Sequence, residues 1–319
     1  MNRRWVLRSL GATFGVASIW GCMGSGRRDP KPGPGDAQQA DKGGPTGPPT
    51  KPDRPQFGRF QTGLNEWSLQ HRGEGRRSAV ILPRAYAGEG LPLLVGLHGS
   101  GGNGATMFRQ NGWGRTCDEA GFVGFFPNGL PNQGKDRIEE EVDFLAAAIA
   151  QLQDEVAIDA KRVYVTGFSA GARKCYRLAA LHSDRVAAIA AHSGIMGFRT
   201  SMGPDRWDPD ITAAGKVSVL HIHGAKDTSV PLTAPRPQDP AERVTTLEGL
   251  GIWAKHNGCS AEASPTAPSV CPATVTSHHW TSATGHEVQG LIDSELGHAW
   301  ASGWANAAIV DFFSRVPVA

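Results

Sequence analysis

Apolar residues along most of this chain fall into two rhythms, and the two alternate. Unbroken runs such as Pro92-Leu93-Leu94-Val95-Gly96-Leu97, Val163-Tyr164-Val165-Thr166 and residues 217–222 have the character of strands buried on both faces. Between them, Val142, Leu145, Ile149, Leu152 and Val156 recur at helical spacing, so residues 139–158 are predicted as an amphipathic helix packed on a sheet. The same reading predicts strands at 123–126, 186–191 and 288–292, and helices around 104–120 and 242–256. Strands alternating with helices imply a mainly parallel sheet covered on both faces, an α/β fold. Ahead of this region, runs at 64–69 and 78–82 flank the turn-forming Arg72-Gly73-Glu74-Gly75, which predicts an antiparallel hairpin at a sheet edge. No internal repeat is visible. Two irregular stretches, 197–215 with Trp207 and the proline-rich 232–240, follow strands and are read as walls of a ligand cleft.

One stretch carries chemistry as well as pattern. In Arg162 to Ala172, RVYVTGFSAGA, an apolar strand enters Gly167-Phe168-Ser169-Ala170-Gly171 and a helix-favouring segment follows at once. That is the context of a G-x-S-x-G turn that presents a serine hydroxyl at the end of a strand, with Gly167 and Gly171 supplying the lack of bulk the turn demands. Upstream, the strand at 92–97 ends in His98-Gly99-Ser100-Gly101-Gly102-Asn103-Gly104. This loop lacks the Gly-Lys-Ser/Thr ending of a phosphate cradle. It is read as the loop that gives one backbone N–H to an oxyanion hole, with Ser100 and Ala170 as the two donors.

A serine hydroxyl needs a base, and the base an orienting acid. Downstream of Ser169, Asp227 turns off the end of the strand at 217–223 and is preferred to Asp239, which sits in a proline-rich loop, and to Asp293 past another strand. His298, in Leu296-Gly297-His298-Ala299-Trp300, is preferred as base to His278, His279 and His286. His221 and His223 have the spacing of metal ligands on a strand, but the further ligands of a zinc site are missing and no metal is expected.

Composition alters the picture mainly at the ends. The chain has 319 residues, 39% of them hydrophobic, and a formal net charge of +2, which suits one large α/β domain and gives no argument for nucleic acid. Arg3, Arg4 and Arg8 precede an uncharged run at 10–21 that is too short to span a bilayer, so residues 1–21 are read as an export signal. Its end, Ser18-Ile19-Trp20-Gly21-Cys22, resembles a bacterial lipoprotein processing site with Cys22 as the lipidated residue, and its start resembles a twin-arginine signal; an ordinary secretory signal fits as well. Residues 22–58 hold eight prolines among glycines and charges with no apolar period, which makes them an extended tether. The catalytic domain is then 59–319. Cys259 and Cys271 flank a Ser/Pro/Ala-rich loop in an exported chain, and a disulfide between them is expected.

The pieces LHGSGGN (97–103), RVYVTGFSAGA, VLHIHGAKDTSVP (219–231), WAKHNGC (253–259) and GHAW (297–300), in that order, resemble the extracellular polyhydroxybutyrate-depolymerase and feruloyl-esterase family of α/β-hydrolases. The resemblance covers the chain from about residue 64 to its end. It implies an α/β-hydrolase fold, with Ser169, Asp227 and His298 as nucleophile, acid and base, Ser100 and Ala170 as oxyanion donors, and no cofactor. The substrate expected is a feruloyl or acetyl ester of plant polysaccharide or a hydroxyalkanoate ester, polymeric in some cases, with Trp207 and Trp300 lining the cleft. The protein is expected to be monomeric, to meet a membrane only through a lipid anchor, and to bind no nucleic acid. Ala170-Gly171-Ala172 stands where relatives often have Asn-Gly-Gly, and Ala301 and Ser302 replace a proline and a glycine after the GHxW motif. A peptidase or lipase of the same fold, and an inactive polymer-binding lipoprotein, are the competing readings.

Overall fold

The computed structural model describes residues 56–129, 137–199, 207–208, 210–211, 214–233, 244–260 and 267–318. The export segment, Cys22 and the tether as far as residue 55 lie outside the described residues, as does most of the two cleft-wall stretches. Short strands β1 (Gln56–Phe57) and β2 (Phe60–Gln61) lead into the predicted hairpin, β3 (Gly63–His71) and β4 (Glu74–Leu82). Then come β5 (Leu91–Leu97), α1 (Trp113–Ala120), β6 (Val123–Pro127), α2 (Ile138–Glu155), β7 (Ile158–Phe168), α3 (Ala170–Leu181) and β8 (Ala188–His192). The chain continues through β9 (Phe198–Arg199), β10 (Trp207–Asp208), β11 (Ser218–Gly224), α4 (Thr246–His256), β12 (Val275–Thr281), β13 (Glu287–Asp293) and α5 (Ala305–Arg315).

Among the described residues nine strands form one sheet in the order β12-β13-β11-β8-β7-β5-β6-β4-β3. From β13 to β6 neighbours run parallel, while β12, β4 and β3 pair antiparallel at the two sides. The unbroken apolar runs are explained by cover on both faces. Leu93, Val95, Val163, Val165 and Val219 point to the side packed by α2, α3 and α4, while Leu94, Tyr164 and Leu220 point to the side packed by α1 and α5. Each fully buried aliphatic side chain on these faces stabilises the fold by about 1.5–3 kcal/mol in transfer terms.

One ionic cluster interrupts the first of these faces. Glu141 of α2 accepts from Arg76 of β4 at 2.7 Å and from Lys174 of α3 at 3.0 Å, and all three side chains are buried. Pairing lets such charges sit inside, and Arg76 also lies over the Phe144 ring at 3.9 Å.

Two expectations need correction. The helix predicted over 104–120 is broken: a π-helical turn at Thr106–Gln110 ends before Gly112, whose φ of 74° is left-handed, and α1 starts only at Trp113. A glycine adopts that angle freely, so the apolar period carries on while the backbone does not. The Cys259–Cys271 disulfide is absent, and both cysteines are free. Cys259 packs on the α2/α3/α4 side of the sheet and Cys271 on the α1/α5 side, so the sheet layer separates them.

Candidate active site

The sheet order reverses between β5 and β7: the connection from β5 runs outward to β6, and the chain then returns to the other side of β5 to form β7. Loops leaving the carboxyl ends of two such strands diverge and open a crevice between them. The loop after β5 and the turn after β7 meet there. A Cβ added at Gly99 would lie 3.3 Å from the Phe168 carbonyl oxygen and 3.4 Å from Ser169 Cβ, so the glycine loop rests directly on the serine turn.

Ser169 follows β7 with φ of 53° and ψ of −112°, a backbone shape rare for a residue with a side chain. Neighbouring glycines make it possible. A Cβ at Gly171 would stand 2.2 Å from the Leu97 carbonyl oxygen, and one at Gly167 would stand 2.5 Å from the Gly171 carbonyl carbon. The serine amide donates to the His192 carbonyl at 2.8 Å, fastening the turn to the end of β8. Ala170 is the first residue of α3, where backbone N–H groups have no carbonyl partner within the helix.

His298 joins the serine to an acid. Its Nε2 is 3.1 Å from Ser169 Oγ, and its Nδ1–H donates to Asp227 Oδ2 at 2.7 Å. Asp227 Oδ1 accepts from the amides of Ser229 at 2.8 Å and Val230 at 2.7 Å, and its side chain is fully buried. Burial by itself raises the Asp227 carboxyl. Hydrogen bonds from His223, His298 and the Val230 amide outweigh that and hold it well below the usual carboxylate range. Asp227 is therefore an anion facing an imidazole that faces a hydroxyl.

The acid and base loops are stitched together by main chain. Ala225 and Lys226 amides donate to the carbonyls of Asp293 at 2.9 Å and Leu296 at 3.0 Å. Of the rival acids, Asp293 Oδ1 is taken by the Glu295 amide at 3.0 Å, and Asp239 lies outside the described residues. Among the rival bases, His279 pairs with Glu287 at 3.0 Å and His286 with Thr284 Oγ1 at 3.0 Å, both away from Ser169.

Histidines that the sequence reading left without a role support this row. His192, at the end of β8, accepts the Ala301 amide on Nε2 at 3.1 Å and stacks on Trp300 with ring centroids 4.7 Å apart. Burial, with the nearby His223 and His298, pushes its pKa down to about 3, so the ring stays neutral and can accept. One residue thus holds the serine turn by its carbonyl and the His298 loop by its ring. His98 accepts the Gly129 amide on Nε2 at 3.0 Å and donates from Nδ1 to the Gly99 carbonyl at 2.8 Å, which fixes the glycine loop; burial lowers its pKa as well. Position at a strand's carboxyl end on the serine's side of the sheet is the signal that would have singled out His192.

Trp300 is half-buried behind His298, in edge contact with Phe168 and Trp113, and donates to Asn306 Oδ1 at 3.0 Å. Phe168 lies 5.0 Å from the His298 ring, so the base rests on an aromatic floor. For Trp207 only the backbone, paired with β9, is described. The nitrogens of His221 and His223 are taken up by hydrogen bonds to Tyr176, to each other and to the Val230 carbonyl.

Comparisons with known proteins bear on the fold and the class. A family model described as phospholipase/carboxylesterase matches residues 121–239. NocK of Nocardia uniformis subsp. tsuyamanensis, which carries an esterase name, is 26% identical over 238 residues, covering 67% of this chain and 67% of that one. Feruloyl esterase C of Emericella nidulans is 28% identical over 164 residues, covering 50% of this chain and 57% of the enzyme. The match therefore spans little over half of that esterase. The acetyl xylan esterase from Aspergillus awamori superposes with a TM-score of 0.56 over 73% of this chain and 94% of its own, at 16% identity. At that identity the superposition speaks for the fold, a parallel sheet with helices on both faces. Sequence relatives and sheet agree on the class: the chain has an α/β-hydrolase fold and is similar in sequence to carboxylic-ester hydrolases.

Proposed function

We propose that the protein is a secreted serine ester hydrolase with Ser169 as nucleophile, His298 as general base and Asp227 as the acid that orients it. The observation that carries the reading is the unbroken row Ser169 Oγ, His298 Nε2 at 3.1 Å, and His298 Nδ1 to Asp227 Oδ2 at 2.7 Å. Ser169 Oγ adds to the ester carbonyl carbon while His298 Nε2 takes its proton. Negative charge collects on the former carbonyl oxygen, where the amides of Ser100 and Ala170 meet it. The intermediate collapses as His298 returns the proton to the leaving alcohol. Water, activated by the same imidazole, then releases the acid and restores the serine. Asp227, already ionised, balances the imidazolium formed in each step.

For substrate we infer feruloyl or acetyl esters of plant polysaccharide, because relatives that match about half of this chain carry such names and the base rests against the ring of Phe168, itself in edge contact with Trp300. Hydroxyalkanoate esters belong in the same test panel. An export signal over residues 1–21, with lipid attachment at Cys22 and residues 22–58 as tether, puts the domain 59–319 outside the cytoplasm, where such polymers are met.

A fluorophosphonate probe tests the chemistry: it is expected to label the wild type and not Ser169→Ala. A wild type that resists labelling and hydrolyses no member of a feruloyl, acetyl and hydroxybutyryl ester panel would refute the reading.

A further inference from the structure

Three buried polar side chains lie end to end behind the acid. Tyr176 Oη is 2.7 Å from His221 Nδ1, His221 Nε2 is 2.9 Å from His223 Nδ1, and His223 Nε2 is 2.7 Å from the Val230 carbonyl oxygen. The same His223 nitrogen lies 3.5 Å from Asp227 Oδ2. All three residues are inaccessible to solvent. They span two elements, since Tyr176 is on α3, the helix that starts at the nucleophile, and the histidines are on β11, the strand that ends at the acid.

The proton positions follow from one fixed end. A carbonyl oxygen only accepts, so His223 Nε2 carries a proton, and a neutral ring then leaves its Nδ1 bare. His221 must therefore donate from Nε2, which leaves its Nδ1 to accept the tyrosine hydroxyl. Every donor meets an acceptor in a single direction, from Tyr176 toward the acid. Burial, together with the neighbouring His223 and His192, pushes the His221 ring well below its usual proton affinity, and burial raises the Tyr176 hydroxyl, so His221 stays neutral and Tyr176 keeps its proton. The far end grips the turn that wraps the acid. Val230, whose carbonyl His223 holds, gives its own amide to Asp227 Oδ1 at 2.7 Å.

We propose that Tyr176, His221 and His223 are positioning residues for the hydrolytic reaction: a one-way hydrogen-bond chain that fixes the turn 227–230 and so aims the Asp227 carboxylate at His298. This rests on the serine-hydrolase reading of the same site. Neither the apolar core nor the row of Ser169, His298 and Asp227 requires three polar side chains here; hydrophobic residues would fill the space without the need for matched partners. The groups that face the chain are Asp227 and His298 at the acid end, His192 from β8, and Cys175 beside Tyr176.

The test combines kinetics with a readout that does not need catalysis. Nitrogen-15 NMR of histidine-labelled protein at neutral pH is expected to show both His221 and His223 as Nε2–H tautomers; an Nδ1–H tautomer at either position would overturn the chain. In kinetics on an aryl acetate, His223→Leu is expected to lower kcat about 10- to 100-fold, the scale of a misaligned catalytic group, with KM changed less than about 3-fold. A loosened carboxylate supports the imidazolium less, so the acid limb of kcat/KM should move to lower pH. His223→Gln, which offers an amide N–H near the place of Nε2, should restore most of kcat, and the near-isosteric Tyr176→Phe should shift the limb in the same direction with a few-fold loss. Should His223→Leu fail to fold, Tyr176→Phe and His223→Gln decide the matter. A glutamine variant no better than the leucine one, or a Tyr176→Phe enzyme with wild-type kcat and an unmoved limb, overturns the proposal. If instead Ser169→Ala keeps full hydrolytic activity, the serine-hydrolase reading fails while the NMR result still judges the chain.

Discussion

Gly224 sits where the strand of the proposed acid touches the loop of the proposed base, and a single methyl group there should separate the two. A Cβ at residue 224 would lie 2.1 Å from the Leu296 carbonyl oxygen, 2.5 Å from its carbon and 2.8 Å from the Gly297 carbonyl oxygen. Ordinary contact between such atoms is about 3.3 Å or more, so Gly224→Ala requires the loop or the strand end to yield by roughly 1.2 Å. Both neighbours are backbone and neither can rotate away. His298 is the residue after Gly297, and its two hydrogen bonds, 2.7 Å to Asp227 and 3.1 Å to Ser169, cannot both survive a shift of that size. A misplacement near 1 Å costs about 10²-fold in rate, equivalent to about 3 kcal/mol of transition-state stabilisation. Overpacking should also destabilise the fold by about 1–3 kcal/mol, small enough to leave it folded at 25 °C. The assay is kcat/KM on an aryl acetate beside a thermal melt, with Gly297→Ala as control. A Cβ at Gly297 meets only the Lys226 carbonyl at 3.8 Å, so that variant should stay within a few-fold of wild type. Gly224→Ala with more than a third of wild-type kcat/KM would refute the argument that this close approach sets the geometry of the site.

Acid should unfold the domain before its carboxylates are neutralised. The His192 ring binds a proton at about 3 in the folded state and near ~6.5 when unfolded, so the unfolded chain holds the extra proton in between and stability falls as pH drops from ~6.5 toward 3. For this buried ring the loss by pH 4.5 is about 3 kcal/mol, and His221 adds to it in the same direction; an unfolding midpoint in urea unchanged between pH 7 and 4.5 would contradict this. Asp227, whose carboxyl is held low, adds stability that disappears only further down, as pH falls through its folded value. Because Cys259 and Cys271 pack on opposite sides of the sheet, reductant should leave the melting temperature of the air-oxidised protein unchanged, and a reductant-dependent drop would show a bridge between them.

Much of the architecture was legible because the features that declare it are local. Strands covered on both faces need apolar residues at every position, and they read as runs. The serine turn needs glycines two places either side, and they are there at 167 and 171. Chain order after Ser169, with strand ends as the guide, points to residues 227 and 298, and the structure brings both into one hydrogen-bonded row with the serine. The polar start of β7 was not legible: residues 158–162 are half-buried or exposed, so the strand begins before its apolar run does. Gly112 left the helical period intact while ending the helix, which no pattern of apolar residues records. The cysteine pairing failed for a related reason. Flanking the same loop says that two residues are near in sequence, and it does not say which side of a sheet each one faces. His192 escaped because its two duties, one through the carbonyl and one through the ring, become visible only when β8 is seen between its neighbours.

That placement has a consequence for how the chain comes to life. β8 lies between β7, which delivers the serine, and β11, which delivers the acid, and the histidine follows β13 on the far side. Ser169 and His298 are 129 positions apart. A chain synthesised from its amino end can form the serine turn early, since β7 and α3 are adjacent in sequence, yet it has no partner for that serine until nearly the whole domain exists. Long-range strand pairing is the slow part of folding. On the proposed mechanism, hydrolysis is therefore a property of finished molecules alone: a chain still lacking β13 and the loop after it carries a serine without its base, and the cell that makes this protein is not exposed to its activity before the last strand is in place.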